Sequence, residues 1–165
     1  MHCFRFGSCN LEDFDLIDHI NNDRIIRVFL YTIPLSEARW KNLILGLFGM
    51  YHAYIVFYTE TNRGKYWWSL EKNGEAFIFQ MSRNIEDVRD KIERQRRIEK
   101  YPNYWQPLLN TDDSSSISFS ELYNYMTEDT GPLSSKYNFP DENCKKFAKI
   151  VFDKVARNKT WNYVI

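Results

Sequence analysis

The fold is decided by the stretch YHAYIVFYTETNRGKYWWSLEKNGEAFIFQMS, residues 51–82. It contains three runs rich in β-branched and aromatic residues, which favour strands. The runs lie at 51–58, 65–72 and 75–82. Asn73 and Gly74 separate the last two, and this pair is a strong hairpin signal because both residues tolerate the positive φ angles of a type I′ turn. The stretch therefore predicts an antiparallel meander.

The turn also predicts a register. A two-residue turn pairs Lys72 with Glu75, and successive side chains then alternate between the two faces of the hairpin. One face carries Trp67, Ser69, Glu71, Ala76, Ile78 and Gln80. If the loop between the first two runs is six residues long (59–64), His52 stands opposite Glu71, and if it is seven, opposite Lys72. Only the first register gives the histidine an acceptor for a hydrogen bond.

Outside the meander, the sequence predicts one further strand, four helices and a polar loop. RIIRVFLYTI, ending before Pro34, predicts a strand over 24–33. Ser118 and Glu121 have the spacing of a capping box, which starts a helix. The helices are predicted behind Ser36 as far as Gly49, over 85–99 behind Asn84, from about Ser118 to Asp129, and over about 140–157. The polar run TDDSSSIS, 111–118, is interpreted as a loop.

Length and composition indicate one α+β domain over residues 1–165, in which the small antiparallel sheet of the meander packs on the last helix. The chain is 44% hydrophobic and 17% aromatic, enough for a single core. Basic and acidic residues both number 22, and this balance disfavours nucleic acid as a partner. The sequence shows neither a signal peptide nor a transmembrane segment, whereas peripheral membrane contact through aromatic side chains stays open.

Cysteine usage indicates a reducing compartment. Cys3, Cys9 and Cys144 are odd in number and have no framework spacing, so a cytoplasmic location is expected rather than a disulfide-stapled secreted domain. Zinc binding by His2, Cys3, Cys9 and His19 is disfavoured because their spacing matches no common zinc site. The chain contains no glycine-rich phosphate loop or pair of metal-binding carboxylates, and we expect neither a cofactor nor a metal.

Cys144 is the candidate nucleophile. It lies in the opening turns of the helix predicted from Pro140, where unpaired N–H groups and the helix dipole favour a thiolate over a thiol. It also lies on the apolar stripe of that helix, which fits a small core residue equally well. The stripe consists of Cys144, Phe147, Ala148, Val151, Phe152 and Val155.

A base and an orienting group complete the candidate site. His52 can accept a proton from a thiol near neutral pH, and a catalytic histidine needs a third group that holds its ring. Glu71 fills that role in the first register, and Gln80 and Ser69 are alternatives on the same face. Otherwise Glu71 is a solvated charge close to the turn.

The order of three motifs resembles the circularly permuted papain-like fold. The motifs are YHAYIVF, WWSLEKNGEAFIFQ and ENCKKFAKIVFDKVA, which together span about residues 51–156. The group includes proteins of the lecithin retinol acyltransferase type, permuted deubiquitinating and desumoylating peptidases, and NlpC-type relatives, and in it the histidine strand precedes the cysteine helix. The resemblance implies Cys144 as nucleophile, His52 as general base and Glu71 as the orienting residue.

The chemistry that this resemblance implies is acyl transfer through a thioester. Water as the acceptor gives hydrolysis of an amide, isopeptide or ester bond in a protein or lipid substrate, and an amine or alcohol gives a transferase. The sequence departs from the acyltransferase pattern because no second histidine follows on the next strand, and about sixty residues separate the meander from the cysteine helix. The alternative is a non-catalytic protein-interaction domain on the same scaffold.

Overall fold

The computed structural model describes residues 2–6, 23–34, 51–72, 77–89, 107–128, 131–132 and 144–158, the first of these as backbone only. The strands are β1 (His2–Phe6), β2 (Arg24–Pro34), β3 (Tyr51–Thr61), β4 (Gly64–Lys72), β5 (Phe77–Ser82) and β6 (Leu108–Ser114). The helices are α1 (Ile85–Arg89), α2 (Phe119–Thr127) and α3 (Cys144–Val155). The predicted α+β class is confirmed, as are the strands of the meander and the strand before it.

The six strands form one antiparallel sheet in the order β1-β5-β4-β3-β2-β6. β3, β4 and β5 are neighbours in this order, as a meander requires. β2 borders β3, with Val28 opposite Phe57, and β6 lies beyond β2. The meander is therefore interior to the sheet, and β1 and β6 are its two outer strands.

Helices pack on both faces of the sheet. α2 and α3 contribute to the larger core on one face, which contains a cluster of rings. These rings are Phe57, Trp68, Phe79 and Phe119. α1 contributes Val88 to a smaller cluster on the other face, together with Tyr31, Ile33, Tyr54 and Val56. The odd-numbered residues of β3 therefore face α2 and α3, and the even-numbered ones, His52 among them, face the side of α1.

The register between β3 and β4 differs from the predicted one by two residues. Tyr58 pairs with Trp67 instead of Lys65, because β3 continues to Thr61 and only two residues connect it to β4. Both the six-residue loop and the seven-residue alternative are wrong, since each additional pair satisfies backbone groups that a longer loop would leave to solvent. Gly64 follows the turn with a φ of 124°, in the range that favours glycine.

The register between β4 and β5 also differs by two residues. Lys72 pairs with Phe77 instead of Glu75, so four residues connect the strands and the predicted two-residue turn is wrong. The connecting residues 73–76 lie outside the described ones. Phe77 packs on Phe147 of α3 with ring centroids 5.2 Å apart, and this core contact outweighs the local turn preference in setting the register. Because the shift is even, the side chains keep their predicted faces.

The segment interpreted as a polar loop forms a strand over half of its length. β6 pairs with β2, placing Thr111 opposite Leu30 and Asp113 opposite Val28. Polar residues suit an outer strand, because one side of it pairs with no strand among the described residues. The pairing depends on β2, which is distant in sequence, so local composition does not reveal it.

The helices agree with the sequence where they are described. α2 begins after Ser118, whose hydroxyl accepts from the Glu121 backbone at 3.2 Å while the Glu121 carboxylate accepts from the Ser118 backbone at 2.6 Å. This confirms the predicted capping box. Predicted helical residues outside the described ranges are those from Ser36 to Gly49, 90–99, 129 and 140–143. No helix in the described ranges is both long enough and apolar enough to span a membrane.

Candidate active site

The candidate site lies where β3 and β4 separate. The last pair between the two strands is Ile55 with Leu70, yet both strands continue past it. Cys144 begins α3 and places its sulfur 3.9 Å from the carbonyl oxygen of Tyr51, and the backbone N–H of Ala53 donates a hydrogen bond to the same sulfur. The sulfur therefore lies beside the part of the β3 backbone that extends beyond its pairing with β4.

His52 and Glu71 form a buried hydrogen bond across the same gap. Nε2 of His52 lies 2.8 Å from Oε2 of Glu71, and the side chains are 17% and 6% exposed. If the register of the two strands is continued by one pair beyond Ile55 and Leu70, Tyr54 stands opposite Glu71. His52 lies two residues from Tyr54 on the same face, so it is a diagonal neighbour of Glu71. Diagonal neighbours on one face are close enough for long side chains to meet. The interpretation of Glu71 as a solvated charge is therefore wrong.

The imidazole of His52 also reaches the cysteine. Its ring is hydrogen-bonded to the Cys144 side chain. Because Nε2 is engaged by Glu71, Nδ1 is the ring nitrogen left for the hydrogen bond with Cys144. His52 thus lies between a thiol and a carboxylate, which is the order of nucleophile, base and orienting acid in a catalytic triad. The three residues singled out from the sequence meet at one place.

The two alternative orienting residues lie further along the same face. Ser69 pairs with Gln80 across β4 and β5, and the buried Ser69 hydroxyl lies 3.5 Å from the Gln80 side-chain oxygen. Ser69 lies two residues before Glu71 on the same face of β4. It is further from His52 than Glu71 is, because it pairs with Val56 of β3. Of the three candidates, it is Glu71 that bonds to the histidine in the described structure.

Burial and polar contacts have opposite effects on the two titrating groups. Burial alone would raise the pKa of Cys144, but the hydrogen bond and positive charge of His52 outweigh it. The Ala53 N–H and the Lys145 charge add to this effect, and the thiol pKa lies below its ordinary value. Burial alone would lower the pKa of His52, but Cys144 and Glu71 raise it above its ordinary value. Both shifts favour a thiolate and an imidazolium.

Sequence reasoning missed two contributors to this electrostatic balance. Lys145 places Nζ 4.4 Å from the ring centroid of Tyr51, a cation–π contact that holds its charge close to the sulfur. Ala53 acts through its backbone N–H, which no residue type reveals. In the sequence, only their positions next to candidate residues could have indicated these contacts, since Lys145 follows Cys144 and Ala53 follows His52.

The candidate site therefore combines three side chains with the backbone of β3, and it can move a proton between one sulfur and one imidazole. Of the residues considered for zinc, His2 and Cys3 are described as backbone only, and Cys9 and His19 lie outside the described ranges. No family model, curated protein or solved structure matches this chain.

Proposed function

We propose that this protein is a cysteine-dependent acyl-transfer enzyme with a permuted papain-like fold, which hydrolyses an amide, isopeptide or ester bond. The observation that carries the proposal is the position of His52, which is hydrogen-bonded to the Cys144 side chain and lies 2.8 Å from the Glu71 carboxylate. This arrangement activates cysteine nucleophiles. The proposed substrate is a protein or lipid that carries such an acyl group, and the proposed location is the cytoplasm.

In the first step, the Cys144 thiolate attacks the carbonyl carbon of the substrate. A sulfur–carbon bond forms, and the negative charge moves to the carbonyl oxygen. The backbone N–H of Cys144 stabilises this oxyanion, because amides in the first turn of a helix such as α3 have no partner within the helix. The His52 imidazolium then gives its proton to the leaving amine or alcohol, whose bond to carbon breaks, and a thioester remains.

In the second step, water releases the acyl group. Neutral His52 takes a proton from the water through Nδ1 as the water oxygen attacks the thioester carbon. The sulfur–carbon bond then breaks, which frees a carboxylic acid and restores the thiolate and imidazolium. Glu71 accepts the hydrogen bond from Nε2 throughout and so keeps Nδ1 directed at the reaction. An amine or alcohol in place of water would give a transferase.

The test is the pH dependence of Cys144 alkylation by iodoacetamide in a background that carries Cys3→Ser and Cys9→Ser. We expect rapid labelling with an apparent pKa well below the roughly 8.5 of a free thiol, and a rise toward that value in His52→Ala. Cys144→Ala provides the blank. An activated acyl ester should in addition leave an acyl group on Cys144, detected by mass spectrometry and removed by hydroxylamine.

Slow labelling that ignores His52 would contradict the enzyme and favour a second candidate, a non-catalytic protein-interaction domain on the same scaffold. One observation supports this alternative. Cys144 is 7% exposed and belongs to the buried stripe of α3, as an inert structural cysteine would. The acyl adduct separates the two candidates, because a structural cysteine would not be acylated at the same rate as an activated one.

A further inference from the structure

Tyr54 packs against the ring of His52. It lies two residues further along β3 on the same face, is fully buried, and has its ring centroid 6.3 Å from that of His52 with 14° between the planes. The torsion that turns an imidazole about its bond to Cβ is broad, so the ring plane needs a packing partner if both nitrogens are to keep their hydrogen bonds. Tyr54 is such a partner.

Tyr54 is itself held by two neighbours. Its hydroxyl donates a hydrogen bond of 2.7 Å to the backbone carbonyl of Arg89, the last described residue of α1. The ring also stacks on Tyr31, with centroids 5.7 Å apart and 20° between the planes. These contacts restrict both rotation and displacement of the Tyr54 ring.

The helix that anchors Tyr54 belongs to the same cluster. Val88 of α1 is fully buried together with Tyr54 in the smaller core. α1 also packs on β4, the strand that carries Glu71, and on β5. A displacement of α1 therefore acts on Tyr54 through the Arg89 carbonyl, and on His52 through the stacked rings.

We propose that Tyr54 is a positioning residue that fixes the plane of the His52 ring and couples the site to α1. The proposal rests on the proposed function, because it assigns Tyr54 a part in the activation of Cys144. Tyr54 acts through His52 and not on the substrate, so its effect must appear in the proton affinities of His52 and Cys144. A merely structural role would lower stability and leave that affinity unchanged.

Two substitutions separate the ring from its hydroxyl. Tyr54→Phe keeps the ring and removes the bond to Arg89, and it should slow Cys144 labelling at pH 7 about threefold to tenfold, the effect of one hydrogen bond. The thiol pKa read from the labelling profile should rise. Tyr54→Leu removes the ring and should have the larger effect. Tyr58→Phe is the matched control, because it makes the same change on the same face of β3, next to Trp67, and should label like the wild type.

Proton NMR of the His52 ring gives a second readout that does not depend on reactivity. The chain has three histidines, so His52→Ala identifies the signal. We expect the His52 pKa to fall toward its ordinary value in Tyr54→Phe, since misaligned hydrogen bonds raise it less. Val88→Ala tests the coupling to α1. It should shift the His52 titration in the wild type and have no further effect in the presence of Tyr54→Phe.

Wild-type labelling and wild-type His52 titration in Tyr54→Phe would overturn the positioning role, provided circular dichroism shows a folded protein. If Tyr54→Leu does not fold, Tyr54→Phe decides alone. An equal effect of Val88→Ala in both backgrounds would overturn the coupling. Failure of the proposed function is distinguishable, because the wild-type thiol would then label slowly in the presence or absence of His52, while the NMR titration would still report on Tyr54.

Discussion

At the scale of single residues, the bond between His52 and Glu71 sets the direction in which the imidazole points. Both side chains are largely removed from water, where a hydrogen bond is electrostatically stronger than at the surface. Glu71 takes Nε2 and leaves Nδ1 for Cys144. A substitution that preserves the shape of Glu71 and removes its charge therefore tests the site with little change in packing.

Glu71→Gln should slow Cys144 alkylation at pH 7 about tenfold, because the thiol pKa should rise and a smaller fraction of the thiol is then ionised. The amide carries no negative charge, so it cannot raise the His52 pKa as the carboxylate does. A less basic imidazole stabilises the thiolate less. The measurement is the pH profile of iodoacetamide labelling, in which the inflection should move to higher pH.

Glu60→Gln is the matched control for this prediction. Glu60 also lies in the meander, but it is exposed and its oxygen is 3.9 Å from the Lys65 ammonium, so the loss of its charge should not reach the site. The labelling profile of Glu60→Gln should equal that of the wild type. The same outcome for Glu71→Gln would remove Glu71 from the set of residues that activate the thiol.

The side chains of the site were more predictable than its backbone contacts. Cys144 and His52 were found because a thiol and an imidazole carry recognisable chemistry, and Glu71 was found because side chains alternate along a strand. The hydrogen bond from Ala53 could not be predicted, since every residue except proline has the same N–H. Lys145 could not be predicted either, because lysine is common on exposed helix surfaces.

At the scale of elements, the two hairpins of the meander show how a wrong register can preserve a correct face. Both differ from prediction by two residues, and an even shift leaves each side chain on its side of the sheet. His52 and Glu71 therefore still meet, as diagonal neighbours. A shift by one residue would have placed Glu71 on the face that α3 covers. The turn residues predicted that a hairpin forms between β4 and β5 but not how many residues connect the two strands. The packing of Phe77 on α3 decides that number.

The cap of α2 should contribute to stability without affecting the site. Ser118 caps the helix and also bridges to Arg24, which pairs with Glu60 at the opposite end of β3 from His52. Phe119 packs on Phe57 and Trp68 in the larger core. Ser118→Ala should lower the free energy of unfolding by about 1 kcal/mol. Urea denaturation measures this loss, and iodoacetamide labelling of the folded variant should match the wild type.

Ser116→Ala is the control for the cap, since Ser116 is exposed and lies outside the capping box. It should change the free energy of unfolding little. Equal stability of the two variants would mean that the Ser118 hydroxyl adds nothing to the helix. A change in the labelling profile of folded Ser118→Ala would show that α2 influences the site, contrary to the arrangement described.

At the scale of the whole molecule, Asp113 joins the end of the chain's last described helix to an outer strand of the sheet. Its carboxylate accepts hydrogen bonds from the Asn158 backbone at 2.8 Å and side chain at 2.9 Å, and from the Ser114 backbone at 2.7 Å. The Arg157 backbone donates to the Ser114 carbonyl at 2.9 Å as well. These bonds hold the segment after α3 against β6.

Asp113 should make stability depend on pH. Burial alone would raise its pKa, but the hydrogen bonds from Asn158 and Ser114 outweigh it and lower the pKa below the usual value. The folded state thus binds a proton less readily than the unfolded state. The stabilisation is complete above the unfolded pKa of about 3.9 and is lost as the pH falls through the lower folded value.

Asp113→Asn should therefore lower the free energy of unfolding at pH 7 by about 1 to 3 kcal/mol and should flatten its decline below pH 4. Urea denaturation at a series of pH values measures both effects. Asp112→Asn is the control, because Asp112 is the neighbouring acid on β6 and forms a more exposed ion pair with Arg27. A similar loss in both variants would contradict the specific role of Asp113.

The composition of the chain made the fold class predictable, but the outer strands required knowledge of distant partners. β6 is polar and pairs with β2, so only tertiary contacts distinguish it from a loop. β1 was not predicted, and it pairs with β5, about seventy-five residues away in the chain. Strands inside the sheet are rich in β-branched and aromatic residues, so they can be predicted from their own sequence. Strands at the margins of the sheet can be predicted only if the strands they pair with are known.

The position of Cys144 after His52 and Glu71 in the chain has a consequence during protein synthesis. His52 and Glu71 are 19 residues apart, whereas Cys144 follows Tyr51, whose carbonyl it contacts, by 93 residues. A nascent chain therefore carries His52 and Glu71 long before it carries the sulfur, and contacts of such separation form late in folding. Until α3 docks on β3, the thiol titrates as an ordinary cysteine. The contacts that lower the pKa of Cys144 thus form only after α3 has been synthesised and has packed on β3.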